Sequence, residues 1–343
     1  MKKTIVASRF DKRRRNHCIR LLGLGLTLAT LFSGMPEAAR AADAFPSKAI
    51  RVILPFPPGG GADATARLVA EKVSEAMKQT LIIENRPGAN GMIGTDTVAK
   101  AAADGYTILF TDRGSLGINP SLYKNLPYDP LKDFEYVGIV ALAPYFLVAN
   151  PKVPAKTFAE LLEYAKKNPG KLNYSSFGIG SLPQMGMESL NKLFGVSITH
   201  VPYKGGGPAA RAAVAGEVDV TLATLGTVSG NIETGKLKVL LLGSAERSAL
   251  QPNVPTVVEA GGHADTIPGT FFGFALPAGT PAPIVKKFAT EIRRAVALPE
   301  VTERLASNGF LAGKVSPEEM TATVKGDVVQ FRKLSQSIGI KPE

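Results

Sequence analysis

Short apolar runs alternate with amphipathic, helix-like stretches along most of the 343-residue chain. The first clear run, Arg51–Leu54, is followed by a cluster of prolines, a pattern typical of a buried strand that ends in a turn. Gly59–Gly61 then opens an Ala-rich segment with helical spacing. A helix start presents unpaired N–H groups at the positive end of its dipole, and glycine admits a ligand close to the backbone. This unit therefore predicts an anion-binding site.

The same alternation continues through the chain and predicts an α/β fold with parallel sheets. Further predicted strands cover residues 80–84, 106–110, 132–140, 145–149, 172–175, 197–201, 218–223, 237–242 and 271–276. Thr157 and Glu160 predict the capping box of one helix, and Ser316 predicts the start of the last helical region. Four strands end in Gly, Ser or Thr, and at least three of these loops lead into a helix. In open α/β sheets, ligand sites gather at such strand ends.

The first forty residues have the pattern of a secretory signal. Met1–Arg20 is basic, Leu21–Met35 is apolar, and Ala39–Ala41 fits the small-x-small pattern of a cleavage site. We predict cleavage after Ala41, by the general export route in preference to the twin-arginine route. The apolar segment is shorter than the roughly 20 residues of a membrane span, so the mature chain is not expected to insert into a membrane. The single cysteine, Cys18, precedes the cleavage site, and no disulfide is expected.

Most of the basic charge belongs to the predicted signal. The chain has a formal net charge of +11, but residues 1–41 hold 9 Lys/Arg and 2 Asp/Glu, which leaves a net +4 for the mature chain. This weak excess favours small anionic ligands through the summed field. It gives no support for nucleic-acid binding, which requires a clustered basic face.

The first glycine loop formally matches a dinucleotide-binding pattern. Gly59, Gly61 and Ala64 fit G-x-G-x-x-G/A after a strand, and Glu84 ends the next strand where a ribose-binding acid would lie. The prolines in this turn remove backbone N–H donors, and a cytosolic cofactor is not expected in an exported protein. A phosphate-binding P-loop is excluded because no Gly-Lys-Ser/Thr sequence follows. We therefore expect no cofactor.

Hydrolase and metal chemistry find little support in the remaining residues. Neither Ser115 nor Ser181 lies in a G-x-S-x-G elbow. His200 and His263 are the two histidines of the mature chain, and we interpret His200 as a hydrogen-bonded structural residue. Two isolated histidines without a cysteine give no metal-ligand spacing. The loops rich in N–H and O–H donors instead suit the recognition of a carboxylate, which accepts up to about four hydrogen bonds.

Five blocks of sequence occur in the order of a known family's signature. They are Pro55–Asp63, Glu84–Gly88, Asp104–Leu109, His200–Gly205 and Pro277–Pro281. They resemble the Bug family, the periplasmic solute-binding proteins of tripartite tricarboxylate transporters. The resemblance covers essentially the whole mature chain. It implies two α/β lobes of the type II periplasmic binding-protein kind, with a ligand cleft between them and limits at residues 42–145 plus 269–343 and 146–268.

The resemblance also implies a set of ligand contacts. Backbone N–H groups of the first glycine loop should hold a ligand carboxylate, and hydroxyl-bearing loops of the opposite lobe should face them. The loop Thr111–Ser115 adds a charged side chain where many family members have only small residues. The candidate ligand-binding residues are Pro57, Pro58, Gly59, Gly60, Gly61, Arg113, Ser115, Ser175, Ser176, Ser181, Tyr203, Lys204 and Gly205.

Two charged residues near these loops need separate interpretation. We interpret Asp63 as a helix-start residue that supports the first loop indirectly. Arg113 has a planar fork suited to a second carboxylate of the ligand, but pairing with Asp112 or another loop acid is an equal alternative. The chain also departs from the family pattern at Pro58 and Ala62, and at Gln184 and Phe272, where histidine and tryptophan are frequent.

The expected function is ligand delivery without catalysis. The protein should capture a small dicarboxylate or an aromatic carboxylate, of which terephthalate is one example, in the periplasm. It should act as a monomer and deliver its ligand to the two membrane subunits of a tripartite transporter. Two alternatives stay open: a periplasmic sensor that presents the carboxylate to a signalling receptor, and, less favoured, an exported enzyme.

Overall fold

Two mixed β-sheets organise the computed structural model, which describes residues 45–340 and 342. The predicted signal and its cleavage site at Ala41 lie outside the described residues. The strands are β1 (Ile50–Leu54), β2 (Leu81–Asn85), β3 (Thr107–Asp112), β4 (Phe134–Ala143), β5 (Tyr145–Ala149), β6 (Asn173–Ser176), β7 (Thr199–Pro202), β8 (Val220–Thr224), β9 (Lys238–Leu242), β10 (Thr270–Pro277) and β11 (Leu311–Ala312). The first sheet has the order β11-β4-β10-β3-β1-β2, and the second has the order β7-β6-β8-β5-β9.

Helices connect these strands and cover both sheets. They are α1 (Gly61–Met77), α2 (Met92–Ala99), α3 (Asn119–Leu122), α4 (Phe158–Lys167), α5 (Leu182–Phe194), α6 (Gly206–Ala215), α7 (Leu225–Glu233), α8 (Ala282–Val296), α9 (Pro299–Ser307) and α10 (Pro317–Ser337). Within the described residues, no helix combines the length and the apolar character that crossing a membrane requires.

The expectation of parallel sheets is wrong for part of each sheet. Strand β1 pairs in parallel with β2 and β3, and β6 pairs in parallel with β7 and β8. By contrast, β10 runs antiparallel to β3 and β4, and β5 runs antiparallel to β8 and β9. The chain enters the second sheet through β5 and returns to the first through β10, and these two connecting strands run against the parallel units.

The two crossings between the sheets lie side by side. The chain leaves the first sheet at Ala143 and re-enters it at Thr270. A Cβ added to Gly269 would lie 3.0 Å from the carbonyl oxygen of Ala143, so the two segments touch where glycine allows close approach. Each sheet is the centre of one lobe. The exact lobe limits stay a prediction, with residues 42–145 plus 269–343 in the first lobe and 146–268 in the second.

Helix α10 joins the two apolar cores. Its residues Met320 and Val324 pack with Leu109 and Phe271 in the core of the first sheet. Farther along the helix, Phe331 belongs to the core that surrounds the second sheet. Full burial of a large apolar side chain contributes about 1.5–3 kcal/mol relative to exposure, so α10 stabilises both lobes.

Local caps explain why two helices begin where the sequence predicts. The Thr157 hydroxyl accepts the Glu160 N–H at 3.2 Å, while the Glu160 carboxylate accepts the N–H of Lys156 instead of that of Thr157. Of the two bonds of a capping box, the one from the Glu160 N–H to the N-cap side chain is present, and the one to the Glu160 carboxylate starts one residue before the N-cap. At the start of α10, Ser316 accepts the N–H of Glu319 at 3.2 Å, which confirms the predicted helix start.

Candidate functional site

A cleft lies between the strand ends of the two sheets. One cavity of about 420 Å³ is lined by the first glycine loop from one side and by Gly206, Thr224 and Thr227 from the other. A neighbouring cavity of about 290 Å³ shares Phe56, Asp112 and Phe177 with it. The two cavities therefore form one cleft, whose volume suits a small organic molecule.

The first wall is the start of helix α1. Gly59 has φ +83°, and a Cβ added to Gly59 or Gly60 would meet nothing within 4 Å, so the space above this loop is open. Gly60 is the N-cap residue, and its position has no side-chain cap. An α-helix leaves its first N–H groups without intrahelical partners, and here those groups lie at the cleft.

Asp63 holds this loop in shape from beneath. Its carboxylate accepts the Gly59 N–H at 3.0 Å, two donors of Arg67 at 3.0 Å each, and the Asn85 amide at 2.9 Å. Burial opposes the ionisation of Asp63, but the bonds from Arg67, Asn85 and Gly59 outweigh it and lower its pKa to about 2. The Gly59 N–H is thus bonded to Asp63, whereas the N–H groups of the first turn that follows it are the ones without intrahelical partners.

Asp63→Ala is expected to destabilise the protein by about 2–3 kcal/mol, because it removes a buried charged acceptor with several partners. The folded pKa lies below the ordinary value of 3.8. The charge therefore contributes about 2 kcal/mol above pH 4, and this contribution is lost as the pH falls towards about 2. Urea unfolding at pH 7 and pH 3 measures both effects.

Glu163→Ala is the matched control for Asp63→Ala. Glu163 pairs with Lys167 at 4.0 Å on an exposed helix face, with the same spacing of four residues. Its loss should cost less than about 0.5 kcal/mol and should depend little on pH. Equal losses for the two variants would contradict the role of Asp63.

The second wall brings two more helix starts to the cleft. Helix α7 begins directly after Thr224, and helix α6 begins after Gly205, which has φ +107°. The hydroxyls of Thr224 and Thr227 are 3.0 Å apart and add donors beside the α7 start. Helices α1, α6 and α7 thus direct the positive ends of their dipoles to one cleft, which favours an anion.

Aromatic rings form much of the remaining lining. Phe272 makes edge-to-face contacts with Phe56 and Phe310, at centroid distances of 6.1 and 5.7 Å. Across the cleft, Tyr145 and Phe177 form a similar pair at 6.0 Å. The cleft therefore offers polar groups at helix ends and flat apolar surfaces for the body of a ligand.

The family model that is described as the tripartite tricarboxylate transporter family receptor matches residues 65–340. The chain belongs to this receptor family. The predicted membership in the Bug group is confirmed, since the Bordetella pertussis protein BugT is 32% identical over 319 residues, 93% of this chain and 97% of BugT.

Solved structures of similar proteins agree with this assignment. An R. palustris protein with adipate is 32% identical, with a TM-score of 0.78 over 87% of this chain and 100% of that chain. MatC from Rhodopseudomonas palustris, with bound malate, is 32% identical, with a TM-score of 0.74 over 84% of this chain and 99% of that chain. These similarities confirm the two-lobed binding-protein fold. Receptors of this family are solute-binding proteins and not enzymes.

Part of the predicted ligand set lines the cleft of this receptor. These residues are Pro57, Gly59, Gly60, Gly61, Ser115 and Gly205. In the described part of the chain, neither cavity is lined by Pro58, Arg113, Ser175, Ser176, Ser181, Tyr203 or Lys204. Ligand contact by any of these residues stays a prediction.

The hydroxyl groups of the predicted serines of the second lobe form hydrogen bonds within the protein. Ser175 is fully buried and donates to the Ala209 carbonyl at 3.0 Å, and Ser181 donates to the Gly178 carbonyl at 2.7 Å. Ser176 is equally buried, and its hydroxyl lies 2.6 Å from Nε2 of His200. His200 is thus hydrogen-bonded, as its structural interpretation expects, and this Ser–His pair lines neither cavity.

Arg113 pairs with an acid that sequence proximity does not indicate. Its Nε donates to Asp327 in α10 at 3.0 Å, and Nη1 donates to the Gly269 carbonyl at 2.6 Å. Arg113 is therefore paired with an acid, but with neither of the predicted kinds, since Asp327 lies in a helix 214 positions away and is neither Asp112 nor another loop residue. Contact between Arg113 and a second ligand carboxylate stays a prediction.

Several cleft residues are absent from the sequence-based set. They are Phe56, Asp112, Tyr145, Phe177, Thr224, Thr227, Phe272, Asn308 and Phe310. Thr224 carries the same signal as the predicted loops, because it ends a strand and precedes Gly226 at a helix start. Asp112 belongs to the predicted loop Thr111–Ser115. This loop does line the cleft, but with the charged side chain of Asp112 and not with that of Arg113.

Proposed function

We propose that this receptor captures a small carboxylate in the periplasm and delivers it to the two membrane subunits of a tripartite transporter. The convergence of the α1, α6 and α7 starts on one cleft carries this proposal, because three positive dipole ends favour a compact anion. Closure of the lobes excludes water and strengthens the hydrogen bonds to the bound carboxylate.

The ligand we propose is a small carboxylate with an apolar or aromatic body, within the predicted range of dicarboxylates and aromatic carboxylates. The rings of Phe56, Phe272 and Phe310 support a ligand with a flat or apolar body. Adipate and malate, bound by two similar proteins, support an acid of few carbons. One carboxylate of the ligand meets the N–H groups at the start of α1.

The proposal includes export and a monomeric mature protein. Cleavage after Ala41 releases a chain that begins shortly before β1, and the membrane subunits supply the transport path. Membership in a family of tripartite transporter receptors supports separate roles for this protein in binding and for the membrane subunits in transport.

A thermal-shift and calorimetry screen of the purified mature chain tests the capture step. Carboxylates should raise the melting temperature, since a ligand at 100 times its Kd stabilises the folded state by about 2.7 kcal/mol. The screen includes acetate, malate, adipate, benzoate, terephthalate, glucose and arginine. Stabilisation by glucose alone, which carries no carboxylate, would contradict the proposal. Delivery is tested by deleting the gene in its own host, where uptake of the identified ligand should be lost.

A further inference from the structure

Asp112 lies at the end of β3, where both cavities of the cleft meet. The residue is half-buried, and one carboxylate oxygen accepts the Ser115 N–H at 2.8 Å. Among the described residues that line the two cavities, it is the only acidic or basic side chain. The carboxyl group of Asp112 is therefore the one carboxylic acid or basic group, among the described residues, that faces a molecule in these two cavities.

No basic side chain neutralises this carboxyl group. Within residues 45–340, none of the ion pairs includes Asp112, and the adjacent Arg113 is engaged by Asp327 and the Gly269 carbonyl. Burial raises the pKa of Asp112, although the N–H and hydroxyl groups of Ser115 and the N–H group of Gly114 oppose this shift. The protein therefore compensates the ionised form of Asp112 poorly, and a donor on the ligand would stabilise that form.

A second carboxylate on the ligand would be repelled by ionised Asp112, whereas a donor would be attracted. Two like charges that share a partly desolvated site repel each other, and one of them must become protonated. The helix starts attract one carboxylate, while Asp112 disfavours another in the same cleft.

We propose that Asp112 sets the ligand class: a carboxylate that carries a hydrogen-bond donor, an ammonium or a hydroxyl, at the end away from the α1 start. This inference rests on the proposed capture of a carboxylate and narrows it. Dianions such as adipate and terephthalate are then poor ligands of this receptor. The same cleft accepts their amino or hydroxyl counterparts of equal length.

Calorimetry with two matched ligand series tests the role of Asp112. One series is caproate, adipate and ε-aminocaproate, and the other is benzoate, terephthalate, p-hydroxybenzoate and p-aminomethylbenzoate. In the wild type, the ammonium compound should bind at least about tenfold more tightly than the dicarboxylate of its series. Asp112→Asn keeps an oxygen for the Ser115 N–H but removes the charge. It should shift that ratio by about 100-fold towards the dicarboxylate, and the affinity for caproate or benzoate should rise less than the affinity for the dicarboxylate of the same series.

The outcomes separate the two proposals. If the wild type binds none of these carboxylates, the proposed function fails. If carboxylates bind but the ammonium-to-dicarboxylate ratio is the same in wild type and Asp112→Asn, only the role of Asp112 fails, and the residue serves the turn to Ser115 alone. Melting temperatures verify folding, and Asp112→Ser, which also retains an acceptor oxygen, must shift the ratio in the same direction.

Discussion

Gly226→Ala is expected to weaken ligand binding by about 100-fold or more, which corresponds to about 2.7 kcal/mol. Gly226 lies at the start of α7 in the second lobe, and a Cβ at this position would overlap the carbonyl oxygen of Asn308 in the first lobe. Backbone atoms cannot yield as a flexible side chain does, so the added methyl group should hold the lobes apart. Calorimetry with the best carboxylate of the screen measures the loss.

Gly230→Ala provides the matched control in the same helix. A Cβ added to Gly230 meets nothing within 4 Å, and alanine favours the helix by up to about 1 kcal/mol over glycine. This variant should bind ligand normally and unfold at a slightly higher temperature. Melting temperatures should show that Gly226→Ala is folded without ligand. Wild-type affinity in this folded variant would contradict a role of Gly226 in lobe closure.

Arg113→Ala is expected to lower the free energy of unfolding by about 3–5 kcal/mol, since it leaves the buried carboxylate of Asp327 without its charged partner. Burial raises the pKa of Asp327 to about 6 even with Arg113 beside it. Because this folded pKa lies above the ordinary value of 3.8, the folded state gains stability as the pH falls through 6. Without Arg113 the pKa should rise further. The loss measured by urea unfolding should therefore be smaller at pH 5 than at pH 7.5.

Two further variants test whether the Arg113–Asp327 pair acts as a unit. The double replacement Arg113→Met with Asp327→Leu should recover most of the lost stability, because it leaves no unpaired charge. Arg294→Ala, which breaks an exposed pair with Glu291, should cost less than about 1 kcal/mol. The observed contacts of Arg113 predict equal affinity losses for mono- and dicarboxylates. A selective loss for dicarboxylates would instead support its predicted contact with a second anion.

Local signals in the sequence located most of the elements correctly. The cap at Ser316 and the glycine loop after β1 mark helix starts because the forces involved act within a few residues. The same locality explains why Thr157 predicts α4 although its return bond comes from Lys156. Predicted and observed strand ends differ by up to three residues, as at β4, where the end is set by pairing with β10.

Contacts between distant parts of the chain could not be predicted from spacing. Residues far apart in sequence are joined by the antiparallel insertion of β10, by the Arg113–Asp327 pair and by the contacts of Phe272 with Phe56 and Phe310. Which charged residue of the loop Thr111–Ser115 faces the cleft depends on Asp327, which attracts Arg113 away from it. The family resemblance supplied the two lobes, but it could not supply the position of Asp112.

Helix α10 gives access to an optical sensor for the ligand. It packs against both cores, yet Val329 on its outer side is 54% exposed and lines neither cavity. The sole cysteine of the chain, Cys18, precedes the predicted cleavage site. A Val329→Cys variant of the mature chain would therefore accept a fluorescent dye at one position. Its emission should change as the lobes move, so that carboxylate concentration could be read from the dye without altering the cleft.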